Sequence, residues 1–150
     1  MSNLQFIKSS STSSNVSSLS VEDCFTNQYT VYKCTYEVDE VGQELATETR
    51  LLNSSGAVTS SNYDHAYSFF VAGSGTYSDG QTSNNSKWQF TMYNEEAKGG
   101  FYVMYIYNPF DSSTFTFGNW KMSSTYLASS TRTLMARTGV GVLKVAESHT

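Results

Sequence analysis

An all-β fold, an antiparallel β-sandwich of jelly-roll type with about nine strands, is what this sequence predicts, and three observations carry it. Aromatic residues make up 15% of the 150 residues, with 11 Tyr and 9 Phe, and these side chains favour strands. Apolar and polar residues alternate with a period of two over one segment after another, without a sustained helical period. Asn, Asp, Ser and Gly punctuate those segments at spacings of roughly 8 to 15 residues. The length suits a single domain over 1–150.

The segments follow in order. Leu4, Phe6 and Ile7 suggest a short first strand, ended by the Ser/Thr/Asn run from Ser9 to Asn15. Leu19 and Val21 alternate with Ser20 and Glu22 as a second strand leading into Cys24 and Phe25. Between Tyr29 and Val38 an apolar face of Tyr32, Cys34, Tyr36 and Val38 opposes Lys33, Thr35 and Glu37, the pattern of a half-buried strand. An acidic turn is expected at 39–43. Leu45 to Leu52 reads as a strand by its period and β-branched content, and Asn53-Ser-Ser-Gly56 as a turn. Tyr63 to Val71 is an aromatic strand. Ala72 to Ser86 has no apolar pattern and is expected to be an exposed hairpin loop. Trp88, Phe90 and Met92 then share a strand face, and a polar turn is expected at 94–100.

Phe101 to Tyr107 is an unbroken apolar and aromatic run with two greasy faces. Pro109, Asp111, Ser112 and Ser113 follow as turn residues, after which Phe115 and Phe117 alternate with Thr114 and Thr116. A central hairpin buried between layers is predicted, with Phe101 and Phe115 in the core. Past Trp120 and Met122 lies a Ser/Thr stretch. Leu134 to Arg137 suggests one more short strand, and Gly139 and Gly141 bracket Val140.

Composition narrows the function. Charged residues are 15% of the chain, against about 25% in average domains, and the net charge is −4. The nine basic residues never cluster, which argues against a nucleic-acid or anionic-membrane surface. No segment approaches the ~20 apolar residues of a membrane span, so no membrane insertion is expected. The first ten residues lack the apolar core of a signal peptide. Asn15, Asn53 and Asn84 each begin a glycosylation-type triplet, as chance allows in so Asn- and Ser-rich a chain. Cys24 and Cys34 leave two readings, a cross-strand disulfide or two buried free thiols, of which the thiols are the commoner case.

Catalytic signatures are missing. The two histidines are His65, mid-strand, and His149, near the end, and Asp64 projects from a strand opposite to His65. The acidic residues sit mostly in turns (Asp39, Glu40, Asp79, Glu95, Glu96, Asp111), and nothing pairs two of them as a glycosidase requires. Cys24 and Cys34 lack further ligands at zinc spacing, and the loops around Asp79 and Asp111 lack the alternating acids of a calcium loop. No enzyme activity, catalytic residue, metal or cofactor is therefore expected. Surface recognition remains, since Tyr and Trp faces with Asn, Asp and Ser hydrogen-bonders bind at small entropic cost. The segment 72–86 offers these as Tyr77, Asp79, Gln81, Asn84 and Asn85. Tyr77, Asp79, Asn84 and Asn85 are the candidate ligand-binding residues.

Several of these elements together resemble a known family. The run NLQFIKSSSTSSNVSSLSVEDCFTNQYTVYKCTYEV has a Ser-rich lead-in and Asp23-Cys24-Phe25 ahead of Tyr29-x-x-Tyr32. The turn Asn108-Pro-x-Asp-Ser-Ser113 and Gly139-x-Gly141 complete the set. This arrangement resembles a tail-fibre-associated β-sandwich domain of virion proteins in marine bacteriophages, those of cyanobacteria and Pelagibacter. The resemblance covers most of the chain. It implies a non-enzymatic virion protein, assembled in the host cytoplasm, which recognises a host-surface glycan or receptor. The alternative it leaves is a capsid or tail decoration subunit that binds other virion proteins; a glycan depolymerase ranks below both. Other virion proteins, a host-surface glycan and further copies of the chain are the expected partners. Relatives run past the position of Glu147 into one or two more strands, so the last strands of the fold are expected to be missing, with an unpaired sheet edge there.

Overall fold

The computed structural model describes residues 4–41, 46–91, 97–128 and 131–150. Their regular structure is all β: β1 (Val31–Val41), β2 (Ala46–Thr49), β3 (Leu52–Asn53), β4 (Gly56–Ala57), β5 (Tyr63–Val71), β6 (Thr76–Asn85), β7 (Trp88–Thr91), β8 (Ala97–Tyr107), β9 (Thr116–Ala128) and β10 (Thr131–Leu143). Six strands form one sheet in the order β1-β8-β9-β10-β5-β6, antiparallel throughout. Two small ribbons, β2 with β7 and β3 with β4, complete the set.

Turn chemistry sets several of these boundaries. Asn53 Oδ1 accepts the Ser55 amide at 2.8 Å, closing the β3–β4 turn. Between β8 and β9, Asn108 takes a left-handed φ of 56° and Asp111 Oδ1 accepts both the amide and the hydroxyl of Ser113. Asn and Asp tolerate such geometry because their short side chains bond the local backbone. The β8–β9 hairpin and the β5 strand lie where their alternation places them.

Several expectations need correction. Residues 4–30 form no strand, although Leu4–Ile7 and Leu19–Val21 were expected to be two. Alternation alone does not suffice, because a strand needs a neighbour to bond and none lies alongside. The expected loop 72–86 is mostly β6, whose hydroxyl and amide side chains suit an exposed edge and so hid its period. The Ser/Thr stretch after Met122 continues β9, and the last strand runs 13 residues, well beyond Leu134–Arg137. Finally, β10 is paired on both sides, so the open edges of the main sheet are β1 and β6. The expected turns at 39–43 and 94–100, Leu45 and the side chain of Met92 fall partly or wholly outside the described residues.

The main sheet has two unlike faces. On the inner face Tyr32, Tyr102, Met104, Ile106, Trp120, Met122, Met135 and Leu143 are buried. The β2–β7 ribbon lies over this face: Trp88 meets Tyr63 edge-on at 5.5 Å and its ring lies against Gly118. The glycines of β10 make room for indole rings. A Cβ at Gly141 would come within 2.5 Å of Trp88 Nε1, and one at Gly139 would strike the six-membered ring of Trp120. Gly139-x-Gly141 is thus a pair of seats for two tryptophans, cut into one face of a strand.

The outer face is uncovered within the described residues. Phe101, Tyr105, Phe117, Leu134, Val140, Phe70 and Tyr77 all stand exposed on it. This overturns the expectation of a hairpin buried on both sides. Phe101 and Phe115 are about half exposed, and the core belongs instead to Tyr102, Met104 and Ile106, one register step away. In an unbroken greasy run the period does not say which face is inward.

The chain's closing residues fold back against the body. The amide of His149 donates to Pro109 O and that of Thr150 to Leu52 O, both at 2.8 Å. Ser148 Oγ donates to Phe110 O, and Asn53 Nδ2 to Glu147 Oε2. His149 is fully buried there.

Candidate functional site

The β5–β6 end of the outer face holds the candidate site. A tight connection at 72–75 joins these strands, so Phe70 lies directly opposite Tyr77, Ser68 opposite Asp79 and Ala66 opposite Gln81. All six side chains share the outer face, because alternate residues of a strand point the same way. Tyr77 is 71% exposed. Next to Ala66 and Ser68, β10 contributes Thr138 and Val140. These residues are short, whereas Phe70 and Tyr77 stand tall at one end. The result is an open depression of about 470 Å³ lined by Ala66, Ser68, Asp79, Gln81, Thr138 and Val140.

Asn84 and Asn85 lie elsewhere. Seven residues along a strand separate Tyr77 from Asn84, roughly 23 Å. At that end the pairing slips by a bulge between Tyr63 and His65, and Asn84 takes a φ of 55°. Its amide donates to Asp64 Oδ1 at 2.7 Å, and its Oδ1 accepts from Lys144 Nζ at 2.9 Å. Lys144 also pairs with Asp64 at 2.9 Å. The Asn84 amide bond, and then the lysine, hold the Asp64 carboxyl below its ordinary range. Asn85 Oδ1 accepts the amide of Ser86. Both asparagines therefore shape the bulge. Of the four candidate residues, the structure brings Tyr77 and Asp79 together with Phe70 and Gln81 and leaves Asn84 and Asn85 outside. The alternation Tyr77-x-Asp79-x-Gln81 was the available signal, masked by the absence of an apolar partner set.

Behind the depression, on the inner face, lies a layer of stacked rings. The guanidinium of buried Arg137 sits over Tyr67 at 4.2 Å and Phe69 at 5.2 Å from the ring centres. His65 is buried beside Tyr67 and Trp120, and burial followed by the charge of Arg137 lowers its pKa. Asp64 projects to the opposite face, as the strand period requires, so the two do not form a catalytic pair. Among the described residues no three His, Cys, Asp or Glu side chains cluster as a metal site would. Cys24 and Cys34 are free thiols; burial, then the neighbouring Cys24, pushes Cys34 up to about 11.

Comparison with protein-family models, with curated proteins and with solved structures finds no match to this chain.

Proposed function

We propose that this chain is a non-enzymatic adhesion component of a bacteriophage particle, of the tail-fibre-associated β-sandwich type that its sequence resembles. Its task is to bind a host-surface glycan at the β5–β6 end of the main sheet. The observation that carries the reading is the pairing of exposed Phe70 and Tyr77 beside an open depression edged by Asp79, Gln81 and Thr138. Aromatic faces stack on the C–H faces of sugar rings, while Asp79, Gln81 and Thr138 supply acceptors and donors for hydroxyls. A shallow, open site suits a polymer that passes across it. The protein would be assembled into virions in the host cytoplasm, alongside other virion proteins.

A glycan array printed with host-surface polysaccharides, followed by titration of the best ligand, tests this. Replacing Tyr77 and Asp79 together by alanine should weaken binding by about tenfold or more, equivalent to about 1.4 kcal/mol or above. Asn84→Ala with Asn85→Ala should leave affinity unchanged. Equal affinity of the Tyr77/Asp79 variant and the parent would remove this site from consideration. A second reading, a decoration subunit that docks on other virion proteins, draws support from the apolar character of the outer face around Phe101 and Phe117, which exceeds what a sugar needs. Antibody labelling of intact particles separates a fibre tip from the shell.

A further inference from the structure

We propose that the segment ahead of β1 is an exchange arm, which docks across the β1–β8–β9 half of the outer sheet face of a second copy of this chain. Two unpartnered surfaces in one molecule lead to this. The first is the arm itself. Among the described residues, no backbone group of 4–25 bonds another backbone group. The arm's backbone is tied to the body near its root: Thr26 N–H donates to the Tyr32 hydroxyl, which donates to Thr26 O, and Asn108 N–H donates to Thr30 O. Phe25 roots it in the body, buried against Tyr32 with ring centres 4.8 Å apart. Ahead of that root the arm runs out and back: Lys8 Nζ donates to Glu22 O at 2.7 Å, and Tyr29 donates to Gln5. Leu4, Phe6, Val16, Leu19 and Val21 are exposed along it, Leu4 by 82% and Phe6 by 77%. No charged residue lies between Lys8 and Glu22.

The second surface is the sheet half where Phe101, Tyr105, Phe117 and Val31 stand 36–51% exposed, with half-buried Val103 and Tyr107 between them. The register sets Val31 beside Tyr107 and Tyr107 beside Phe117, so the patch is continuous across three strands. Its charges, Lys33, Glu37 and Lys121, are interspersed with the apolar side chains and carry both signs. At side-chain areas of about 150–200 Å², the exposed fractions amount to roughly 450–600 Å² on the arm and roughly 270–370 Å² on the sheet half. Each surface rivals the largest apolar patch of an ordinary monomer, about 300–600 Å². A reciprocal exchange would cover about 1,500–1,900 Å² over two copies, the scale of a stable specific interface.

The pattern of the arm fits that role. Leu4 and Phe6 alternate around Gln5, and Leu19 and Val21 around Ser20, so the two legs side by side would present one apolar face. Such a two-legged ribbon is the layer that the uncovered sheet lacks. Reach is ample, since each leg of the doubled arm ahead of Phe25 extends to about 30 Å while the three strands β1, β8 and β9 span about 10 Å. This inference is independent of what the β5–β6 end binds, because that end stays open when the other half is covered.

Sizing with multi-angle light scattering on the intact chain at about 100 μM provides the test, with the mass expected at twice or a higher multiple of 16.6 kDa. Phe6→Ser with Leu19→Ser on the arm, or Phe101→Ser with Phe117→Ser on the face, should each yield a monomer. Circular dichroism checks that both variants stay folded. In a Cys24→Ala, Cys34→Ala background, a chain carrying Phe6→Cys mixed with one carrying Phe117→Cys should give a mixed disulfide on a non-reducing gel. If that background does not fold, the sizing results decide alone. A monomeric parent, or an oligomer that survives either pair of serine substitutions, overturns the proposal. Tyr77→Ala with Asp79→Ala should leave the mass unchanged, so the two sites fail or hold separately.

Discussion

Gly139 and Gly141 each give up a side chain so that an indole ring can lie flat on β10. Adding the methyl group of alanine at Gly139 forces the Trp120 ring away from its seat, and a ring flanked by His65 cannot swing aside freely. Gly139→Ala should therefore destabilise the fold by about 1–3 kcal/mol through overpacking, a drop of several degrees in the thermal midpoint. Calorimetry of the variant against the parent measures it; an unchanged midpoint would show that the ring has room. The buried histidines contribute differently. Burial lowers the pKa of both His65 and His149, so the folded chain resists protons that the unfolded chain accepts near pH 6.5. Their contribution is complete above that value and is lost as pH falls below it. The midpoint should decline between pH 7.5 and 5, and His65→Gln with His149→Gln should flatten that slope. Asp64 and Asp111, whose carboxyls are held low by hydrogen bonds, act in a separate, more acidic window.

At the level of elements, the strands that sequence reasoning found best are those with one greasy and one polar face. Tyr32, Cys34, Tyr36 and Val38 face inward along β1, and β5 spans the predicted Tyr63–Val71. Where both faces carry similar side chains the period carries no direction. The Phe101–Tyr107 run was readable as a strand, but its inward face was not, and Phe101 went to the wrong side. Strand β6 shows the opposite case. Its hydroxyls, amides and glycine are typical of loops, yet main-chain pairing to β5 holds it, and that pairing is invisible one residue at a time. The candidate site inherits this limit. Tyr77 and Asp79 were legible as a polar and aromatic pair, whereas Phe70, Ala66 and Thr138 join them through register between β5, β6 and β10. Asn84 and Asn85 resemble ligand groups by type but are spent on the bulge at Tyr63.

On the scale of the whole molecule, the sheet is built from distant partners. Val31 lies opposite Tyr107 in β1–β8, and Tyr63 opposite Leu143 in β5–β10. During synthesis β1 must wait for β8 before it gains its one neighbour in the sheet, and the β5–β6 hairpin must wait for β10 before it joins the rest. Closing such long chain segments costs entropy before any contact compensates it. The consequence is kinetic: this chain should refold slowly, in milliseconds to seconds, as non-local β topologies do. Stopped-flow fluorescence has two buried reporters, Trp88 and Trp120, both seated against β10. Their signal should recover late, with the joining of β5 to β10, and microsecond recovery would contradict this order of events. Until then β1 carries Tyr32 and Tyr36 without a cover, and the interval between its emergence and the arrival of β8 is when this protein most needs protection from its neighbours.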